Sequence, residues 1–331
     1  MWQPLFAQLH PIWYSKHNNS TEVMKMRRVL SMIVLILLSL FCTACAHPQG
    51  YIDFTKSQDS QPAAEEPAVK PLRIAFASVM SPKETRQVYQ QIVNYISQQE
   101  NRPAILIQRR TYEELNTLLA NGDADVAFSS TGAYVAYQGH EPIELLAMAE
   151  TDGSAYYKPY IITAADSDIT DVRQLQGRTF AFTDPLSYSG CLAITFRLAQ
   201  DGSTPDLFFK RFFFTHGHDK SIWAVANHLA DAAGVDSQIY ELMEQTNPQL
   251  ARKVRILETM PDAPTGPIVV RSGLAPEEKE ALRTIFYTMH ENAELSRAMK
   301  TIVIDRFVAP DTAAYEQFKM QYAAQKRLAG T

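Results

Sequence analysis

From Pro71 onward, short apolar runs alternate with amphipathic helical patterns, and that rhythm confines the chain to an α/β fold of sheets covered by helices. RIAFASV (73–79) reads as a strand and runs into Ser81-Pro82-Lys83-Glu84, a capping box with proline at the first helical position. Val88, Ile92 and Ile96 recur at helical spacing and predict a helix over 82–98. AILIQR (104–109) is a second strand. The capping box Thr111-Tyr112-Glu113-Glu114 follows, with Leu115, Leu118 and Leu119 behind it and Gly122 as a stop. ADVAFSS (124–130), IELLAMA (143–149), KPYIITA (158–164), RTFAFT (178–183), RFFFT (211–215), VRILE (254–258) and PIVVR (267–271) complete the strand set. Further helices are expected near Tyr134, over 190–200 and 220–230, and near 276–292 and 312–327. Short connections between alternating elements imply parallel sheets, and ligands of such sheets gather at the carboxyl ends of strands, beside helix N-termini.

The 331 residues are 46% hydrophobic and 20% charged, which excludes a disordered or fibrous chain and allows two ordinary domains. A net charge of −5 with no basic stripe argues against a nucleic-acid partner. Cys42, Cys45 and Cys191 are too few for a disulfide framework or a four-cysteine zinc site. Ahead of the body, KMRR (25–28) precedes the almost wholly apolar run from Val29 to Cys42. That run falls short of the roughly 20 residues a membrane span needs and suits the apolar core of a signal peptide.

The run ends Cys42-Thr43-Ala44-Cys45, which resembles the lipobox of bacterial lipoproteins and implies cleavage before Cys45 and lipidation of that residue. Residues 1–44 therefore read as a signal peptide with an over-extended start, translation beginning at Met24 or Met26. Their removal takes away Lys16, Lys25, Arg27, Arg28 and Glu22 and leaves 287 residues carrying −8. Residues 45–70 are polar, proline-dotted and without periodicity, a flexible tether between a lipid anchor and the body. The rival reading is an uncleaved membrane anchor.

Three loops stand where a ligand belongs: Arg110-Thr111-Tyr112, Asp184 to Gly190 (DPLSYSG), and Thr215-His216-Gly217-His218-Asp219. Each follows an expected strand and opens an expected helix, where hydroxyls and free backbone N–H groups make an anion site. Ser189 is expected to cap helix 190–200. Serine and threonine are common caps, so any one loop alone reads as plain capping; three together point to a site.

DPLSYSGCLA, FFFTHGHDKSIWAVANHLADAAGVDS and PTGPIVVR resemble the phosphate/phosphite/phosphonate-binding proteins of ABC importers, over roughly 71–310. The resemblance implies a type II periplasmic-binding-protein fold, two α/β lobes joined by a two-strand hinge with the ligand in the cleft. It implies oxyanion contacts at Tyr112, Tyr157, Ser187, Tyr188, Ser189 and His218. Tyr188 stands where the family commonly has threonine. Gln238 and Gly266 stand where relatives that hold aminophosphonates can have acids, so an ammonium tail would lack a counter-charge. Lobe one is expected over 71–162 and 260–331 and lobe two over 163–259, with strands 158–164 and 267–271 as the crossing pair. The implied protein is a monomeric, membrane-anchored lipoprotein on the periplasmic or cell-surface side. It is no enzyme, carries no cofactor, and delivers a small oxyanion to an ABC permease. A lipoprotein of the same fold that signals to a membrane sensor kinase is the alternative.

Other chemistries fit less well. His216, His218 and Asp219 look like part of an H-x-H-x-D metal signature, but position 220 is Lys220. There is no G-x-S-x-G elbow for a serine hydrolase, and no GxGxxG or Walker loop for a nucleotide.

Overall fold

The computed structural model describes residues 70–77, 80 and 82–329. The signal peptide, Cys45 and the tether up to residue 69 lie outside the described residues, as does Ser81 of the first capping box. In chain order the strands are β1 (Leu72–Ala77), β2 (Ala104–Arg109), β3 (Val126–Phe128), β4 (Ile143–Glu150), β5 (Tyr156–Tyr157), β6 (Pro159–Ala164), β7 (Thr179–Phe182), β8 (Arg211–Phe214), β9 (Ala232–Asp236), β10 (Val254–Thr259), β11 (Ala263–Pro264), β12 (Pro267–Arg271) and β13 (Arg306–Val308).

Two separate sheets result, one ordered β13-β4-β12-β3-β1-β2 and the other β10-β6-β9-β7-β8. In the first, β1 pairs parallel with β2 and β3, while β12 runs antiparallel to β3 and β4, and β13 antiparallel to β4. The second repeats the plan: β7 is parallel to β8 and β9, and β6 is antiparallel to β9 and β10. The sheets are therefore mixed, which corrects the expectation of wholly parallel ones. Helical crossovers force only the βαβ triples to run parallel. Strands entering where the chain passes between sheets are free to run the other way.

That passage is made at β5 and β11, a two-residue antiparallel pair with Tyr157 opposite Ala263. The expected crossing strands lie instead inside the sheets, 158–164 as β6 and 267–271 as β12. Since β6 begins at Pro159, the change of sheet falls at residue 158 rather than after 162. A two-residue pair is too short to leave an apolar pattern in sequence.

Strand alternation sorts the core onto both faces of each sheet. In β1, Ile74 and Phe76 meet Val88, Ile92 and Ile96 of helix Pro82–Gln99, while Ala75 and Ala77 face Leu115, Leu119 and Tyr315. In β7, Phe180 and Phe182 face Ile194 and Leu198, and Ala181 faces Ile222 and Val225. Each such large side chain contributes roughly 1.5–3 kcal/mol on full burial.

One central strand escapes the sequence pattern. β9 is Ala-Ala-Gly-Val-Asp, nearly without the large β-formers that mark strands. Its Gly234 answers to packing: a Cβ there would stand 2.5 Å from Ile194 Cδ1 and 2.9 Å from the Ser189 carbonyl oxygen. Missing β9 also hides the helix it opens, Ser237–Thr246.

Candidate functional site

Because each sheet contains one parallel triple, the carboxyl ends of β1, β2 and β3 and of β7, β8 and β9 are brought to one cleft between the lobes. Tyr112 enters it after β2, Ser129, Ser130 and Thr131 after β3, and Ser187 and Ser189 after β7. His218 follows β8, Asp236 ends β9, and Tyr157 of β5 closes one side. The cavity measures about 110 Å³, well under the roughly 300–1,000 Å³ of sites for drug-sized ligands. It suits a small ion.

Five of the six expected contacts, Tyr112, Tyr157, Ser187, Ser189 and His218, line this cleft and are buried. Tyr188 is the correction. Its ring lies outside the cleft, in an edge-on contact 4.9 Å from Phe318 of helix Thr312–Ala329. Consecutive residues at a helix start point in different directions, so the hydroxyls of Ser187 and Ser189 and the ring of Tyr188 cannot share one side.

The capping expectation is corrected as well. Ser187, in extended backbone conformation, accepts the Gly190 N–H on its Oγ at 3.1 Å and so caps the turn Tyr188–Leu192, which leads into helix Ala193–Gln200. Ser189 makes no cap; it lines the cleft together with Thr131 and Tyr157, and the Ser189 and Thr131 hydroxyls both act on the Tyr157 phenol. Burial drives the phenols of Tyr112 and Tyr157 far above their ordinary value, so both remain neutral donors.

His218 heads helix His218–Ala226. Its Nδ1 accepts the Asp236 backbone N–H at 3.1 Å and lies 3.3 Å from Thr183 Oγ1. Burial holds the imidazole down to about 3, and a neutral ring that accepts at Nδ1 carries its hydrogen on Nε2. His218 is thus a neutral donor, a role the sequence left open. His216 faces elsewhere: in left-handed backbone at φ 54, its Nδ1 stands 3.8 Å from Asp184 Oδ2. The two histidines of the H-x-H do not converge.

Four further groups were missed. Ser130 and Thr131 follow the same strand-then-helix rule as the other loops and were legible in F-S-S-T. Ser130 Oγ accepts the Ala133 N–H and donates to the Leu186 carbonyl, while Thr131 Oγ1 donates to the Pro264 carbonyl. Thr85 is buried in the cleft wall, its Oγ1 without a partner among the described residues. Asp236 was hidden with β9. Its Oδ1 accepts the N–H groups of Gln238 and Ile239 at 2.8 and 3.4 Å, and burial pushes its carboxyl up to about 7. Gly266 has no room for an acid: a Cβ there would stand 2.2 Å from the Ser129 carbonyl oxygen.

Comparison with known proteins gives the family and the fold. The family model described as "ABC transporter, phosphonate, periplasmic substrate-binding protein" matches residues 74–315. The phosphonates-binding periplasmic protein of Escherichia coli is 28% identical over 154 residues, 44% of this chain and 45% of that protein, so this match spans about half of the relative. The phosphate-import protein PhnD of Mycolicibacterium smegmatis is 24% identical over 241 residues, 70% of this chain and 75% of that protein. A solved binding-protein component of an ABC phosphonate transporter from Pseudomonas aeruginosa has the same fold. Its TM-score is 0.71 at 24% identity, covering 78% of this chain and 87% of that one. With two mixed α/β lobes, a two-strand connection and a match spanning nearly the whole body, the chain belongs to the periplasmic substrate-binding proteins of ABC phosphonate transporters.

Proposed function

We propose that this binding protein captures a small phosphorus oxyanion, namely phosphate, phosphite or an alkylphosphonate with an uncharged tail, and delivers it to an ABC permease. The observation that carries the reading is the cleft's donor set. Buried hydroxyls of Tyr112, Tyr157, Ser187 and Ser189 and the neutral His218 converge there, and none of the described lining residues is lysine or arginine. Neutral donors hold an anion through charge-assisted hydrogen bonds worth roughly 1.5–3 kcal/mol each. Binding stays reversible, as delivery requires, and no reaction is part of this reading. A thermal-shift panel of phosphate, phosphite, methylphosphonate, 2-aminoethylphosphonate and sulfate tests it. One of the first three is expected to stabilise most, and 2-aminoethylphosphonate less, because Gln238 and Gly266 offer its ammonium no carboxylate. Stabilisation by none of the phosphorus compounds overturns the proposal.

The same reading has the protein held at the membrane by lipid on Cys45. Cys45→Ser is expected to move it from the membrane fraction to the soluble one; an unchanged membrane fraction would favour an uncleaved anchor.

A further inference from the structure

The cleft that carries the proposed function contains one carboxylate among its described lining residues, and it stands among the oxyanion donors. Asp236 gives its backbone N–H to His218, and its charge is felt by both Tyr112 and Tyr157. Oδ1 is committed to the N-terminus of helix Ser237–Thr246. Oδ2 makes no hydrogen bond among the described residues. An oxyanion bound beside an ionised Asp236 would meet a like charge with no cation to offset it.

We infer that Asp236 and the bound oxyanion share one proton, making Asp236 the residue that ties ligand capture to the protonation state of the site. The inference rests on the proposed function and adds a ligand requirement: the anion binds together with a hydrogen, held between one of its oxygens and Oδ2. Phosphonates and phosphite can bring that hydrogen themselves, because their second ionisation lies in the neutral range.

The groups facing Asp236 leave it alone in this role. His218, on the helix packed against β9, stays neutral down to about 3. Tyr112 and Tyr157 ionise far above the working range. Tyr160, on the paired strand β6, is also raised. Glu241, one turn along the helix that Asp236 caps, raises the Asp236 carboxyl further, and Lys158 partly offsets Glu241. Burial places the Asp236 ionisation near neutrality, where a shared proton can be gained and lost.

Isothermal calorimetry with methylphosphonate and with phosphite, at pH 6 and at pH 9, in two buffers of different ionisation heat, tests this. At pH 9 both ligands and Asp236 are ionised in the free state. The wild-type protein is then expected to take up about one proton per anion, and affinity to fall roughly tenfold per pH unit above the last ionisation. Asp236→Asn keeps a good helix cap, and its amide can donate directly to the dianion. Its proton uptake is expected to drop close to zero, and its affinity at pH 9 to exceed that of wild type. Binding at pH 6 with no proton uptake at pH 9, or equal uptake in the variant, overturns the inference and leaves the proposed function standing. Tightest binding by 2-aminoethylphosphonate, lost in Asp236→Asn, would make the carboxylate an ammonium partner and overturn it as well. If neither ligand binds at pH 6, the inference falls for these ligands, and the proposed function falls with it when phosphate fails to bind as well.

Discussion

Ser187 and Ser189 stand two residues apart, yet only one of them is a cap. Ser187 holds the Gly190 N–H, and Ser189 lines the cleft beside Tyr157. Ser189→Ala is therefore expected to weaken ligand binding about tenfold to a hundredfold with little change in melting temperature, the loss of one charge-assisted hydrogen bond. Ser187→Ala is expected to cost about 1 kcal/mol of stability in addition to affinity. Measuring both quantities on both variants decides the assignment, and unchanged affinity in Ser189→Ala removes this loop from the site. His218 gives a pH signature. Its folded-state value is depressed, so the stability of the buried neutral ring is fully present above about pH 6.5 and is lost as pH falls towards 3. The stability advantage of ligand-free wild type over His218→Gln is expected to shrink as pH is lowered from 7 to 4. A constant gap would mean the ring titrates as if solvated. At this scale the donors were legible, because hydroxyls and a histidine at strand ends are local features. Asp236 was not: a carboxylate in an anion site contradicts the local chemistry that finds the others, and its Asp-Ser-Gln context reads as an ordinary cap.

Among the elements, strands with large apolar alternation announced themselves, and β7 and β8 with their phenylalanines are the clearest. β9 stayed silent for the reason that it is central. Crowded by β6, β7 and the loop carrying Ser189, it must be built of small residues. Sequence reading weighs size and branching, so the strand under the tightest packing leaves the faintest pattern. This makes Gly234 a sensitive position. In Gly234→Ala the new methyl would press on Ile194 and on the Ser189 carbonyl, and overpacking of this kind costs about 1–3 kcal/mol. The variant is expected to unfold at lower denaturant and to bind ligand more weakly, because the displaced backbone is the site's own. Lower stability with affinity unchanged would show that the strain is relieved through Ile194 alone.

For the whole molecule, the question is what holds the lobes together around the cleft. Ser130 Oγ, from the first lobe, donates to the Leu186 carbonyl of the second at 2.9 Å, and the Tyr112 N–H reaches Asp184 Oδ2 at 3.4 Å. Further out, Tyr188 of the second lobe meets Phe318 of the C-terminal helix, which packs with the first. Tyr188 is therefore expected to act on binding from outside the cleft, through the ease with which the lobes close. If closure is an equilibrium, apparent affinity scales with the closed fraction, so weakening a contact present only when closed raises the apparent Kd without touching the ligand. An aromatic pair of this kind contributes about 0.5–1.5 kcal/mol, so Phe318→Ala is expected to weaken binding by roughly twofold to tenfold. Small-angle scattering of the ligand-free variant is expected to give a larger radius of gyration than wild type, and saturating ligand to bring the two together. An unchanged radius with unchanged affinity would mean that the Tyr188–Phe318 contact does not report closure, and that the hydrogen bonds at the cleft floor alone hold the lobes.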